Sequence, residues 1–148
     1  MEFCVVASNY TTQTQQVHVF LDNVVRRFAD RGITCNVIAP QSVVRYLFKG
    51  NARRAFVSQR TTAEGNSYTV YSPLYLVFPP KKIGKLRLAD WTKRSFFRSL
   101  CRVYRRHKLN ADLVYAHFFH AGIPAVWLAK KLGVPSYIAN GEATPWTP

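Results

Sequence analysis

Acidic residues are scarce in this chain of 148 residues: 7 Asp and Glu stand against 21 Lys and Arg, a formal net charge of +14. Such an imbalance attracts phosphate-rich partners, nucleic acid or anionic lipid headgroups, and is silent about fold. Cysteine is rarer still. Cys4, Cys35 and Cys101 lie singly within apolar segments, a spacing that supports neither a disulfide framework nor a zinc site and fits a reducing, cytoplasmic compartment. No apolar run approaches the roughly 20 residues that a membrane-spanning helix needs. Met1 and Glu2 lead into the first apolar segment without a basic leader. The expectation is a soluble protein, or one held peripherally on the inner face of the cell membrane. Phosphate-binding glycine loops of the GxGxxG or GKS/T type are missing, as are a carboxylate pair for hydrolysis and a nucleophilic triad. Helix-turn-helix, ribonucleoprotein and zinc modules are missing too, so nucleic acid is not an expected partner despite the charge.

Hydrophobic residues make up 48% of the chain, enough for one domain over residues 1–148 to bury a core without staples. Residues 110–141, NADLVYAHFFHAGIPAVWLAKKLGVPSYIANG, carry the densest pattern. Residues 113–116 are a short apolar run ending in His117, and residues 134–139 are another ending in Asn140, Gly141 and Glu142. Between them the spacing predicts a helix over residues 121–132, with Pro124 in its first turn, Gly133 as the left-handed stop and Pro135 blocking continuation. That is a βαβ unit. Neither strand alternates apolar and polar residues, as expected of a parallel sheet covered by helices on both faces. Residues 3–7, an amphipathic helix bearing Val17, Phe20, Leu21, Val24, Val25 and Phe28 and ending at Gly32, and residues 33–39 form a second such unit. Right-handed crossovers place both units on one sheet. Residues 41–57 read as a short helix or an irregular basic loop, residues 61–67 as a turn around Gly65 and Asn66, and residues 68–71 and 75–78 as strand-like segments.

Residues 81–108 hold eleven Lys or Arg and a single acid, Asp90. With Asp90 as a helix cap and about 100° per residue, Phe96, Phe97, Leu100, Val103 and Tyr104 share one arc. Arg94, Arg98, Arg102, Arg105 and Arg106 share the opposite arc, with Trp91 on their side. A charged outer face often does no more than keep a helix solvated. This one has a single sign, and apart from Asp90 beneath Arg94 it has no acidic i, i+4 partner to relieve its repulsion. It is therefore expected to face an anionic membrane surface through Trp91, Arg94, Arg98, Arg102 and Arg105, each basic contact being worth about 1 kcal/mol.

In an open parallel sheet the ligand crevice lies beyond the carboxyl ends of the strands, which places His117 and the turn Asn140, Gly141 and Glu142 on one rim. A single histidine near a strand is commonly a hydrogen-bonded core residue; its position at a strand end is what singles out His117. His120 suits a cap or packing role, and no third ligand stands near the pair, so no metal is expected. Glu142 is either an ordinary exposed acid or a ligand for hydroxyls.

The tail ADLVYAHFFHAGIPAVWLAKKLGVPSYIANGEA resembles the N-terminal domain of family-4 retaining glycosyltransferases of the GT-B fold. Those enzymes typically carry Asp, two hydrophobic residues, His, any residue and His, then small residues, then AKKLGVP and a strand ending in His-Gly or a variant. The order of elements at the opening is also similar, and coverage extends over nearly the whole chain. The resemblance implies a Rossmann-like three-layer α/β sandwich with a mainly parallel sheet, one half of a GT-B architecture, its donor-binding domain absent from this sequence. It implies a hexosyltransferase when complete and an inactive chain alone, with no cofactor beyond a nucleotide-sugar donor. The expected partners are a donor-binding domain or chain and an acceptor sugar or glycolipid. His117 matches the family's second His, a residue of the active-site cleft, and is the implied catalytic position; Tyr115 stands at the first. Asn140, Gly141, Glu142 and His120 are implied to bind acceptor or sugar. Residues 8–16 lack the glycines the family often places beside the donor diphosphate, leaving Asn9, Thr11, Thr12 and Thr14 to donate hydrogen bonds there.

Overall fold

The computed structural model describes residues 1–11, 19–48, 53–83 and 86–139. Its centre is a parallel ladder whose strands are the apolar runs of the two βαβ units. Strand β1 (Glu2–Val6) lies between β2 (Thr34–Ile38) and β9 (Leu113–His117), and β10 (Ser136–Ala139) adds beyond β9. On the other side β5 (Ser67–Tyr71) pairs with β2 in parallel and β4 (Val57–Thr61) with β5 antiparallel, giving the order β10-β9-β1-β2-β5-β4. The fold is a Rossmann-like α/β sandwich with a mostly parallel six-stranded sheet.

Side-chain alternation explains why β1 is apolar from Phe3 onward. Phe3, Val5 and Ala7 join the core beneath helix α1 (Val19–Asp30) with Leu21, Val25 and Ala29, while Cys4 and Val6 join the opposite core. That second core holds Phe96, Leu100 and Val103 of α3 (Leu88–Arg106) and Ala121, Ala125 and Leu128 of α4 (Phe119–Leu132). Both faces are covered, so period-two alternation has no solvent side to report. Leu100 is fully buried, and truncating it to alanine would remove about 2–5 kcal/mol.

Several local expectations are corrected. Helix α4 starts at Phe119, two residues early, so Pro124 lies inside it and removes the amide that would bond the His120 carbonyl. Gly133 does close the helix in a left-handed conformation at φ 70. Asp90 is not the cap of α3; Arg87 is, and Asp90 lies in the first turn, 3.8 Å from Lys93 rather than under Arg94. Of the two readings of residues 41–57 the short helix holds, as α2 (Val43–Phe48), preceded by β3 (Gln41–Ser42). The strand-like stretch after β5 is ordered as a strand only over β6 (Leu74–Tyr75), which pairs with β3 in parallel. A small hairpin of β7 (Lys82–Ile83) and β8 (Leu86–Arg87) precedes α3. Finally, β10 is an edge strand, with Tyr137 and Ile138 exposed, rather than an interior one.

Candidate functional site

Strand β1 sends its helix to one face and β9 sends α4 to the other, so the order reverses between β1 and β9. Ligands of open α/β sheets bind in the crevice at such a point, outside the carboxyl ends of the strands. His117 is the last residue of β9 and is half-buried there. Residues 113, 115 and 117 share the face covered by α1, which brings three aromatic rings around the imidazole. Phe20 of α1 lies 4.4 Å away between ring centroids and Phe118 4.6 Å, while the Tyr115 hydroxyl is 3.1 Å from His117 Nδ1. Burial, then Tyr137, raises the Tyr115 pKa, so its phenol stays protonated. The phenol and Nδ1 share one hydrogen bond whose direction follows the imidazole tautomer: with Nδ1 as the acceptor, Nε2 carries the ring's hydrogen and can donate.

The turn that follows is strained. Phe118 has φ 66 and ψ 153, a conformation essentially restricted to glycine, which costs on the order of 1–3 kcal/mol in any other residue. It is held there by its amide, which donates to the Ala139 carbonyl at 3.0 Å, and by its carbonyl, which accepts from Gly122 at 3.0 Å. Register pairs His117 with Ala139, so β9 and β10 finish side by side. Asn140, Gly141 and Glu142 lie outside the described residues, as do Thr12, Thr14 and Val17. His120 is exposed near the start of α4.

The loop after β1 is anchored by groups the sequence did not single out. Asn9 Oδ1 accepts from its neighbour Tyr10 at 3.0 Å and from Arg45 Nη1 at 3.0 Å, and the buried Thr11 accepts through its carbonyl from Arg60 Nη2 at 2.6 Å. Beneath them is Asp22, which accepts from the Tyr10 hydroxyl at 2.8 Å, the Tyr68 hydroxyl at 2.7 Å and Arg26 at 2.7 Å, with Arg60 3.4 Å away. Burial alone would raise its pKa, but the bonds from Tyr68, Arg26 and Tyr10 outweigh burial and lower it. Asp22 therefore ties α1, β4 and β5 to the loop at the crevice. The one available signal was an acid at a helical position next to Leu21, on the buried side.

Helix α3 presents its arginines outward, and four of the five residues expected at a membrane meet in one place. Trp91, Arg94, Arg98 and Arg102 form one wall of an open groove of about 570 Å³, with Val43, Leu74, Tyr75, Leu76 and Phe78 among its apolar lining. Trp91 packs edge-on against Phe78 at 5.7 Å. Arg105 is exposed but outside the groove. Because β3 and β6 extend from the carboxyl ends of β2 and β5, this groove opens at the same end of the sheet as His117, on its α3 face. No helix among the described residues is long and apolar enough to cross a membrane. Among them, no group of three or more His, Cys, Asp or Glu could hold a metal.

No protein-family model matches this chain, and no curated protein matches it. Among solved structures it is similar to the C-terminal domain of the PF1911 hydrogenase from Pyrococcus furiosus, with a TM-score of 0.47 at 12% identity over 93% of this chain and 89% of that one.

Proposed function

We propose that this chain is the acceptor-binding half of a retaining glycosyltransferase, which moves a sugar from a nucleotide-sugar to an acceptor hydroxyl in cell-surface polysaccharide or glycolipid synthesis. The observation that carries the reading is the place of His117: a ring fixed by Phe20, Phe118 and Tyr115 at the strand end where the sheet order reverses. The resemblance of residues 111–143 to the family-4 pattern supports it. In this reading His117 Nε2 donates to an oxygen of the acceptor or the transferred sugar, and the turn Asn140, Gly141 and Glu142 binds hydroxyls. The loop bearing Asn9 and Thr11 faces the donor phosphates, and a donor-binding domain or chain holds the nucleotide.

Saturation-transfer NMR of the protein with a panel of oligosaccharides tests the first half of this reading. Binding of at least one sugar, lost in a folded His117→Ala variant, is the expected result. A panel without binders, or sugar binding indifferent to His117, refutes it. Sugar transfer is expected only after a donor-binding domain is supplied.

The arginine groove favours a second reading, a noncatalytic membrane-binding or scaffolding module of the same fold, peripheral on an anionic bilayer. Its separate mark is cosedimentation with anionic vesicles in a protein that never gains sugar transfer when donor domains are added.

A further inference from the structure

Helix α2 turns its apolar side outward. None of its residues is buried, and Val44, Leu47 and Phe48 stand 57%, 56% and 80% exposed. At 3.6 residues per turn, Val43, Leu47, Val44 and Phe48 follow one another around about 140° of the helix, with Arg45 and Tyr46 on the remaining side. Val43 lines the arginine groove, as do the exposed Leu76 and Trp91. The apolar stripe of α2 is thus continuous with the groove.

These side chains are held in water by a fixed frame. Ser42 Oγ accepts from the Arg45 amide at 3.1 Å, and Arg45 reaches Asn9 at 3.0 Å. The Tyr46 ring stacks on Phe56 at 5.3 Å and carries the Arg53 guanidinium 4.8 Å from its centroid, while Arg53 Nε donates to the Tyr46 carbonyl. Across the groove, the Leu76 amide donates to Ser95 Oγ and the Phe78 amide to Thr92 Oγ1, both at 2.9 Å, which pins that segment along α3.

The charges around the stripe tell what covers it. Arg53, Arg94, Arg98 and Arg102 are exposed, and no acidic side chain among the described residues lines the groove or lies on α2. A second copy of a chain of net charge +14 would set guanidinium against guanidinium, which disfavours self-association. An anionic bilayer satisfies both parts: its phosphates take the arginines, and its acyl boundary takes apolar side chains that project without needing a matching pocket.

We propose that Val44, Leu47 and Phe48 insert into the headgroup and acyl boundary of an anionic bilayer, as a wedge beside the arginine groove. This rests on the membrane reading of that groove and adds penetration and an orientation to it. Because α2 follows β2 through β3, the carboxyl ends of the strands, and the His117 crevice with them, face the headgroups, while the turn between β4 and β5 at Glu64 faces water.

Phe48→Cys and Glu64→Cys, made separately in the full chain and labelled with an environment-sensitive fluorophore, test the assignment; Cys4, Cys35 and Cys101 are buried and stay unlabelled. On phosphatidylcholine vesicles containing phosphatidylserine, the label at position 48 is expected to shift to the blue and to be quenched by lipids brominated in the acyl chain. The label at position 64 should do neither. Leu47→Ser with Phe48→Ser, which alters no charge and touches only exposed side chains, should weaken cosedimentation of the unlabelled protein by about tenfold or more. Vesicle binding in which the label at 48 stays as wet as that at 64, or which the double serine variant leaves unchanged, overturns insertion while the arginine contact stands. Absence of binding to anionic vesicles overturns both. Self-association of the wild type that the double serine variant abolishes, without insertion, gives the stripe to a second copy and likewise overturns the proposal.

Discussion

Replacing Phe118 separately by alanine and by glycine isolates the strain beside His117. Both variants lose the same ring, including its contacts at 4.6 Å with His117 and 5.5 Å with Phe20, so their difference reports the backbone alone. Alanine keeps a Cβ at φ 66 and ψ 153 and with it a penalty of roughly 1–3 kcal/mol; glycine does not. Glycine's larger freedom in the unfolded chain takes back about 0.4–1 kcal/mol. The glycine variant is therefore expected to be the more stable, by about 1 kcal/mol at the middle of these ranges, the reverse of the order found at ordinary positions, where alanine wins. Urea unfolding followed by tryptophan fluorescence reads this as a higher midpoint for Phe118→Gly, by about 0.5 M at a slope of about 2 kcal/mol per molar. An alanine variant as stable as the glycine variant, or more so, would show that the turn is unstrained and that nothing forces the His117 backbone into place.

Asp22→Asn leaves Arg26 and Arg60 without their carboxylate, and equilibrium unfolding at neutral pH should register a loss of about 3 kcal/mol. Because the folded-state pKa of Asp22 lies below the ordinary carboxylate value, its contribution is present above that value and disappears as pH falls through the folded pKa. Wild type and Asp22→Asn should thus converge in stability in acid, and a constant gap from neutral pH downwards would contradict the assignment. Burial pushes the Cys4 thiol up to about 12 and Cys35 up to about 11, and raises Cys101, so none should react with a disulfide reagent at neutral pH until denaturant is added. Rapid labelling of Cys4 in the native protein would mean that the β1 core opens. Reversing Arg94, Arg98 and Arg102 to Glu should weaken association with anionic vesicles by at least about two orders of magnitude, from about 1 kcal/mol per arginine. Cosedimentation that survives the triple reversal would remove the groove from any membrane role.

The two βαβ units were legible because their strands are buried on both faces and their helices carry one apolar stripe, patterns that survive without tertiary information. The antiparallel β4 was not, since Ser58, Gln59 and Arg60 offer no apolar run and the strand is stabilised by pairing with β5 rather than by its own side chains. His117 could be placed at a strand end from its position alone, but its ring partners could not: Phe20 is 97 positions away and was counted in the helix's apolar stripe, whereas it is exposed at the crevice. Asp22 escaped for a related reason. A buried charge is announced by neighbours that only folding assembles, and Tyr68 and Arg60 are distant in sequence from the carboxylate they serve. The arginine arc of α3 was readable by angle, whereas the apolar wall facing it comes from β6 and the segment after it.

The two margins of the sheet are chemically unlike. At one, the polar, antiparallel β4 ends the array with Arg60 turned back to the Thr11 carbonyl. At the other, β10 leaves Tyr137 and Ile138 uncovered beside a backbone with no neighbour on its outer side among the described residues. Both margins are open edges among the described residues, and only a strand added at β10 would come to lie within a few residues of the imidazole.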